Sequence, residues 1–157
     1  MAFITFQFSC QDDLGSEAIR IFEHGEYSHV DMVLDDGSLL GARDDVMMGI
    51  APGVQVRPSA YVNFSAVKVV KIPCTDDEKT KFYSLAFSQV GKPYDESAIL
   101  AFVAGRNWRS EDSWFCSELG LWCLEGSFLP YKAALTENKA TPGDLFLVSS
   151  VFTDVWS

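Results

Sequence analysis

The chain of 157 residues has no long hydrophobic run and no export signal that its sequence reveals. Its longest apolar stretches are far too short to span a bilayer, and residues 1–8 lack the positive region and the cleavage site of a signal peptide. The sequence therefore predicts no integral membrane association, and a protein that is cytoplasmic at synthesis.

Basic residues are also scarce. Twelve Lys and Arg residues stand against 22 Asp and Glu residues, which gives a formal net charge of −10. So acidic a surface repels phosphate backbones and anionic lipids, and we expect no nucleic-acid partner. The adjacent carboxylate pairs lie beside predicted turns or helix starts, where solvation and capping explain them.

Metal-ligand spacings are missing as well. The four cysteines contain no Cys-x-x-Cys pair, and the two histidines are not spaced as His-x-x-x-His. Without an export signal the thiols are expected to be reduced. A zinc site would have to combine ligands that lack the usual spacing, so we expect no metal and no cofactor at Cys116, Cys123, His24 and His29.

The pattern of hydrophobic residues predicts one globular domain over residues 1–157. A hydrophobic content of 48% is sufficient for a sizeable core. Alternating β-branched and aromatic residues between turn signals predict strands at 3–8, 27–34, 39–43, 54–57, 65–73 and 143–148. Helical periodicity predicts helices at 12–24, 76–90, 97–104 and 116–126, and Thr75-Asp76-Asp77-Glu78 reads as a capping box at the start of the second. This order is typical of an α+β fold with an antiparallel sheet packed against helices.

The Asp36-Gly37 turn predicts a β-hairpin, but two registers are open. A two-residue turn would place on the His29 face Ala42 and Asp44. A three-residue loop would place there Gly41, Arg43 and Asp45.

Cys116 opens an apolar run that reads as a helix, with Asp112 or Ser113 as a possible cap. In the first turn, the positive end of the helix dipole favours thiolate over thiol. A base is available in His29, on a predicted strand, whereas His24 suits the last turn of a helix without catalytic duty. The two residues are the parts of a thiolate–imidazolium pair, although a cysteine beside large apolar residues can equally be core packing.

Five short motifs place this pair in a wider context: Tyr27-Ser28-His29-Val30, the Asp-Gly hairpin, Gly91-Lys92-Pro93-Tyr94-Asp95, Phe115-Cys116-Ser117-Glu118-Leu119 and Thr141-Pro142-Gly143-Asp144-Leu145. In this order the chain resembles the circularly permuted branch of the NlpC-type cysteine peptidases, which includes YiiX-like proteins and, more distantly, lecithin retinol acyltransferase. The resemblance covers roughly residues 16 to 148.

The resemblance implies a papain-like core in which Cys116 is the nucleophile, His29 the general base and Tyr94 a residue of the cleft wall. Trp114 and Glu118, which flank the thiol, are candidate substrate-binding residues. The family's third polar residue, which orients the histidine, maps to Gly41, and glycine has no side chain for that task. The possible substitutes are a water, a backbone carbonyl, Asp31, Asp44 and Asp45.

The resulting hypothesis is a cysteine hydrolase that cleaves an amide bond through a thioester on Cys116. The resemblance points to bacterial cell-wall peptides, which the enzyme would reach in a phage particle or as recycled fragments inside the cell. Two alternatives stay open. A lipid acyltransferase or thioesterase of the same fold is disfavoured by the negative charge, and a non-catalytic binding or assembly module is favoured by Gly41.

Overall fold

The computed structural model describes residues 1–11, 26–96, 112–127 and 140–151. In these ranges five strands form one antiparallel sheet: β1 (Ala2–Cys10), β2 (His29–Val33), β3 (Leu39–Arg43), β4 (Gly53–Arg57) and β5 (Ala66–Cys74). The strand order is β4-β3-β2-β1-β5, so β4 and β5 are its edges. Three helices are described: α1 (Asp76–Ser88), α2 (Cys116–Ser127) and α3 (Pro142–Val151). The predicted α+β class is confirmed.

The core lies between the sheet and the three helices. Phe6 of β1 is fully buried and meets the ring of Phe82 of α1 edge-on, with centroids 5.7 Å apart. Gly120 of α2 packs against the same Phe6 ring, and an added Cβ there would come within 3.1 Å of it and closer still to Leu145 of α3. Glycine at this position therefore lets α2 approach the sheet and α3 closely.

The β2–β3 hairpin has the three-residue loop. Met32 pairs with Leu40 across the hairpin, and the Gly37 N–H donates to the Leu34 carbonyl at 3.0 Å. Gly37 has a φ of +82°, a conformation that glycine adopts without strain. Of the two registers open from the sequence, the observed one places Gly41 and Arg43 on the His29 side.

Helix α1 begins as its sequence predicts. The Thr75 hydroxyl accepts a hydrogen bond from the Glu78 N–H at 3.2 Å, and the Glu78 carboxylate accepts one from the Thr75 N–H at 2.8 Å. This reciprocal capping box satisfies two backbone donors that the helix cannot satisfy itself.

The strand predicted at 143–148 is wrong, because these residues belong to α3. A second capping box starts the helix: the Thr141 hydroxyl accepts from the Asp144 N–H at 3.0 Å, and the Asp144 carboxylate accepts from the Thr141 N–H at 3.1 Å. Pro142 occupies the first helical position, where its missing N–H costs no hydrogen bond. These signals at the start of the segment outweigh the strand-like run of apolar residues after it.

The helices predicted at 12–24 and 97–104 lie outside the described residues. Within the described ranges, no helix is both long enough and apolar enough to cross a membrane.

Candidate functional site

The segment that contains Tyr94 is fixed to the edge of the sheet. The Gly91 N–H donates to the Val54 carbonyl of β4 at 2.8 Å, and the Val54 N–H donates to the Lys92 carbonyl at 2.9 Å. Gly53, with a φ of +102°, lies so close to the Lys92 carbonyl oxygen that a Cβ at residue 53 would collide with it. Strand β4 thus holds the segment in one position.

The other side of the segment is bonded to the residue two positions before Cys116. The Trp114 N–H donates to the Pro93 carbonyl at 3.1 Å, and the Asp95 N–H donates to the Trp114 carbonyl at 3.0 Å. Tyr94 forms an isolated parallel bridge with Trp114. The Gly-Lys-Pro-Tyr motif is therefore a spacer that connects β4 to the start of α2.

Cys116 is the first residue of α2 and is 3% exposed. The ring of Tyr94 packs on that of Phe115, with centroids 5.9 Å apart. Burial raises the pKa of Tyr94 well above its usual value, and electrostatic interactions with Cys116 and Asp44 add to the shift. The hydroxyl of Tyr94 is therefore neutral, and its place in the wall of a cleft stays a prediction.

Trp114 and Glu118 are both buried and have structural contacts at the start of α2. The Trp114 indole N–H donates to the Gln89 side chain at 3.0 Å, and the Glu118 carboxylate accepts from the Phe115 N–H at 3.4 Å. Glu118 thus contributes a side-chain contact at the helix start for which the sequence suggested Asp112 or Ser113. A role for either residue in substrate binding stays a prediction.

His29 is the first residue of β2, and its side chain is 12% exposed. Its Nε2 atom lies 3.0 Å from Oδ1 of Asp31, which is itself only 1% exposed. The distance is that of an ion pair, but the angle falls outside the range of a hydrogen bond. The contact is thus a close approach of two buried polar atoms and not an aligned N–H···O hydrogen bond.

The carboxylate of Asp31 occupies the space that a side chain at residue 41 would need. The hairpin register, continued by one residue beyond the Met32–Leu40 pair, sets Asp31 opposite Gly41. A Cβ built on Gly41 would overlap Asp31 Oδ1 and lie 3.1 Å from its Cγ. Among the substitutes considered for a missing side chain at 41, Asp31 is the carboxylate that contacts His29.

Asp31 stays ionised despite its burial. Burial acts to raise its pKa, but the positive charge of His29 and the hydrogen bond from the Tyr61 hydroxyl outweigh it, and the pKa lies below its ordinary value. Tyr61 donates to Asp31 Oδ2 at 2.8 Å. The two carboxylate oxygens therefore have different partners, His29 on one and Tyr61 on the other.

Two buried arginines bind residues next to Asp31 and support its contact with His29. Arg43 donates to the Tyr61 hydroxyl at 3.2 Å and forms a two-point ion pair with Asp45 at 2.8 and 2.9 Å. Arg57 is 1% exposed and donates to the Gly41 carbonyl at 3.1 Å. Buried charges of this kind are tolerated only when they are paired and hydrogen-bonded.

Reasoning from the sequence did not identify Tyr61, Arg43 or Arg57. Arg57 carries a weak signal, since it is a charged residue in a short strand that proves to be buried. Arg43 is a candidate only in the register with the three-residue loop. Tyr61 lies in a predicted loop, where no periodicity could select it.

Cys116 and Cys123 both belong to the hydrophobic core, and Cys74 packs against it. The Cys10 thiol donates to the Glu26 carbonyl at 2.7 Å, and burial raises the pKa of both Cys74 and Cys123. All four cysteines are free thiols. In the part of the chain that the structure describes, no group of three or more His, Cys, Asp or Glu side chains is arranged to hold a metal ion.

No protein-family model and no curated protein matches the chain significantly. Among solved structures, it is similar to the crystal structure of the metalloprotein yiiX from Escherichia coli O157:H7, with a TM-score of 0.53 and 20% sequence identity. The chain has a YiiX-like fold. The match covers 80% of this chain and 66% of that one, so the chain spans about two thirds of the neighbour's length. At this identity the likeness concerns the fold, and it agrees with a papain-like α+β architecture.

Proposed function

We propose that this domain is a cysteine hydrolase in which Cys116 is the nucleophile and His29 the general base. The observation that carries the proposal is the contact of 3.0 Å between His29 Nε2 and the buried carboxylate of Asp31. A carboxylate in this position orients an imidazole and stabilises its protonated form during the reaction.

The contact also assigns the two ring nitrogens. In the proposed reaction, the neutral ring carries its proton on Nε2, next to the Asp31 carboxylate, and the lone pair of Nδ1 is the base. The thiol proton of Cys116 passes to Nδ1, which requires the sulfur and this nitrogen to come within about 4 Å. The N-terminal end of α2 stabilises the thiolate through its dipole, since Cys116 is the first helical residue.

The reaction is then an acyl transfer in two steps. The sulfur of Cys116 forms a bond to the acyl carbon, and the C–N bond breaks as the amine leaves with the proton from Nδ1. His29 next takes a proton from water, the hydroxide attacks the thioester carbon, and the thiol is released with the acid product. The Cys116 backbone N–H is the proposed donor to the oxyanion in both steps.

The proposed substrate class is a peptide amide, such as one in a bacterial cell-wall fragment. Its support is the order of the five sequence motifs, three of which lie in the described site around His29, Tyr94 and Cys116. The net charge of −10 is consistent with a peptide partner rather than a nucleic acid. A substrate panel of amide, ester and acyl-lipid compounds distinguishes the peptidase from an acyltransferase.

The first experiment measures the reactivity of each thiol with iodoacetamide as a function of pH, by mass spectrometry. Cys116 should be alkylated well below the usual thiol pKa of about 8.5, because the thiolate is the reactive species. Cys123 should stay slow because burial raises its pKa. The variant His29→Ala should remove the advantage of Cys116, and Cys10→Ser should leave it intact. Equal reactivity of all four thiols would refute the assignment of the nucleophile.

A non-catalytic binding module is the second candidate, and one observation favours it. His29 and Asp31 alternate along β2 with Val30 and Met32, which are core residues together with Phe115 of the Cys116 segment. The alternation turns the imidazole toward the Tyr61 side of the sheet, so its ring must reach the thiol past the end of β2. A thiol at Cys116 that reacts no faster than Cys10 would select this candidate.

A further inference from the structure

We infer that Asp31 is the positioning residue for His29, and that this role has moved across the hairpin from residue 41 to residue 31. The inference deepens the proposed function and rests on it for its catalytic meaning. It assigns to β2 a task that the family resemblance places on β3.

The transfer of the positioning role from residue 41 to residue 31 follows from the geometry of the hairpin. Residues 31 and 41 are opposite each other in the observed register, and directly opposed Cβ atoms in an antiparallel pair are roughly 5 Å apart. Side chains from the two positions therefore compete for one volume beside the imidazole. Asp31 fills it, and a Cβ at Gly41 would overlap the carboxylate. Glycine at 41 is thus required by Asp31 and is not a missing part of the site.

The position of Asp31 along β2 permits the contact. Residues two apart in a strand project from the same face, about 6.6 Å apart along the chain. A short carboxylate spans this gap without a flexible linker, and Oδ1 lies 3.0 Å from the imidazole Nε2.

Tyr61 and the two arginines hold the carboxylate in this orientation. The Tyr61 hydroxyl fixes Oδ2 at 2.8 Å, and Arg43 in turn donates to that hydroxyl. Arg57 donates to the carbonyl of Gly41, the residue whose missing side chain leaves room for Asp31. The shell keeps the carboxylate ionised and leaves Oδ1 directed at His29.

The test compares Asp31→Asn, Asp31→Gly and the double variant Asp31→Gly/Gly41→Asp. The first readout is the tautomer and titration of His29 by ¹⁵N NMR, in a His24→Gln background because His24 is the chain's other histidine. The second readout is the pH profile of Cys116 alkylation. Both readouts respond to the state of the imidazole, which a purely structural carboxylate would not alter.

We expect wild-type His29 to carry its neutral proton on Nε2 and Asp31→Asn to shift that tautomer. Alkylation of Cys116 near neutral pH should fall by about a hundredfold or more in Asp31→Asn and Asp31→Gly, as for loss of the orienting acid in a catalytic triad. The double variant returns a carboxylate to the same volume from β3 and should recover at least about tenfold over Asp31→Gly. The single variant Gly41→Asp should lose reactivity, because two carboxylates then collide.

The NMR result separates this inference from the proposed function. An unchanged His29 tautomer and titration in Asp31→Asn overturns the inference, whatever the thiol does. A wild-type protein with the Nε2 tautomer but an ordinary Cys116 thiol overturns the hydrolase and leaves the positioning role intact. If Asp31→Asn fails to fold, Tyr61→Phe releases only Oδ2 and should shift the His29 tautomer in the same direction by less. No shift in a folded Tyr61→Phe then counts against the inference.

Discussion

Gly53 lies against the carbonyl oxygen of Lys92 at a distance that leaves no room for a side chain. The two backbone hydrogen bonds between Val54 and the segment 91–92 depend on this approach. Since the same segment is bonded to Trp114, a single glycine on an edge strand controls where Tyr94 and the start of α2 are placed.

Replacing Gly53 with alanine should destabilise the domain by about 2 kcal/mol or more, because the new Cβ meets the Lys92 carbonyl and a φ of +102° strains any L-residue. Urea denaturation measures the loss. The matched control is Gly49→Ala, where φ is +75° and no atom lies within 4 Å of the added Cβ. Equal losses in the two variants would show that the close approach to Lys92 contributes nothing.

The N-terminal cap of α3 should stabilise the domain as much as that of α1. We expect Thr141→Ala to lower the free energy of unfolding by about 1 kcal/mol, since the Asp144 N–H loses its acceptor. Thr75→Ala, which removes the equivalent acceptor from the Glu78 N–H, should cost a similar amount. Thermal and chemical denaturation of both variants provide the comparison, and a neutral Thr141→Ala beside a destabilised Thr75→Ala would contradict the helical start at residue 142.

Tyr83 should make stability depend on alkaline pH. Burial raises its pKa from 10.0 to about 12, and its hydroxyl donates to the Val33 carbonyl at 2.6 Å. A raised pKa in the folded state means that the stabilisation is complete below 10.0 and is lost as the pH rises through about 12.

The difference in unfolding free energy between wild type and Tyr83→Phe should be about 1 kcal/mol at neutral pH and shrink across that alkaline window. Urea titrations at several pH values measure this difference. A difference that stays constant into strong alkali would mean that Tyr83 titrates normally.

Asp31 should make the free energy of unfolding depend on acidic pH, with the opposite sign to Tyr83. Its pKa in the folded state is below the ordinary value of 3.8, so its stabilisation is present above 3.8 and is lost as the pH falls through the folded-state pKa. The stability difference between wild type and Asp31→Asn should therefore narrow in acid. Asp36→Asn is the comparison, because Asp36 is exposed and its pKa is lowered by local hydrogen bonds, first those from Ser38, with no charged partner. An Asp31→Asn profile parallel to the wild type down to strong acid would argue against the ionised carboxylate.

The sequence was most informative where the structural signal is local. The hairpin at Gly37 and the capping box at Thr75 each depend on residues within a few positions, and both are observed. Helix α3 was missed although its cap is just as local, because the apolar run that follows was given more weight than the Thr-Pro-Gly-Asp start. Pro142 lay outside every predicted element and Gly143 was the first residue of the predicted strand, but both are part of that start.

The candidate site was harder to predict for a different reason. His29 and Cys116 were selected by residue type and motif order. The inferred role of Asp31, in place of a side chain at residue 41, depends instead on which residues oppose each other across the hairpin. A register cannot be read from one strand alone. No local sequence pattern indicates that Tyr61 contacts Asp31 or that Arg57 contacts Gly41, because these residues come from segments that meet only in the folded chain.

The side chains of strand β5 affect the tendency of the protein to self-associate at high concentration. It is an edge of the sheet and exposes Val67 and Val69, at 49% and 46%. The exposed lysines Lys68 and Lys71 alternate with these valines or follow them on the same strand. Charged side chains on an edge oppose its pairing with the strand of another molecule, so these two cations act as gatekeepers against fibrillar self-association.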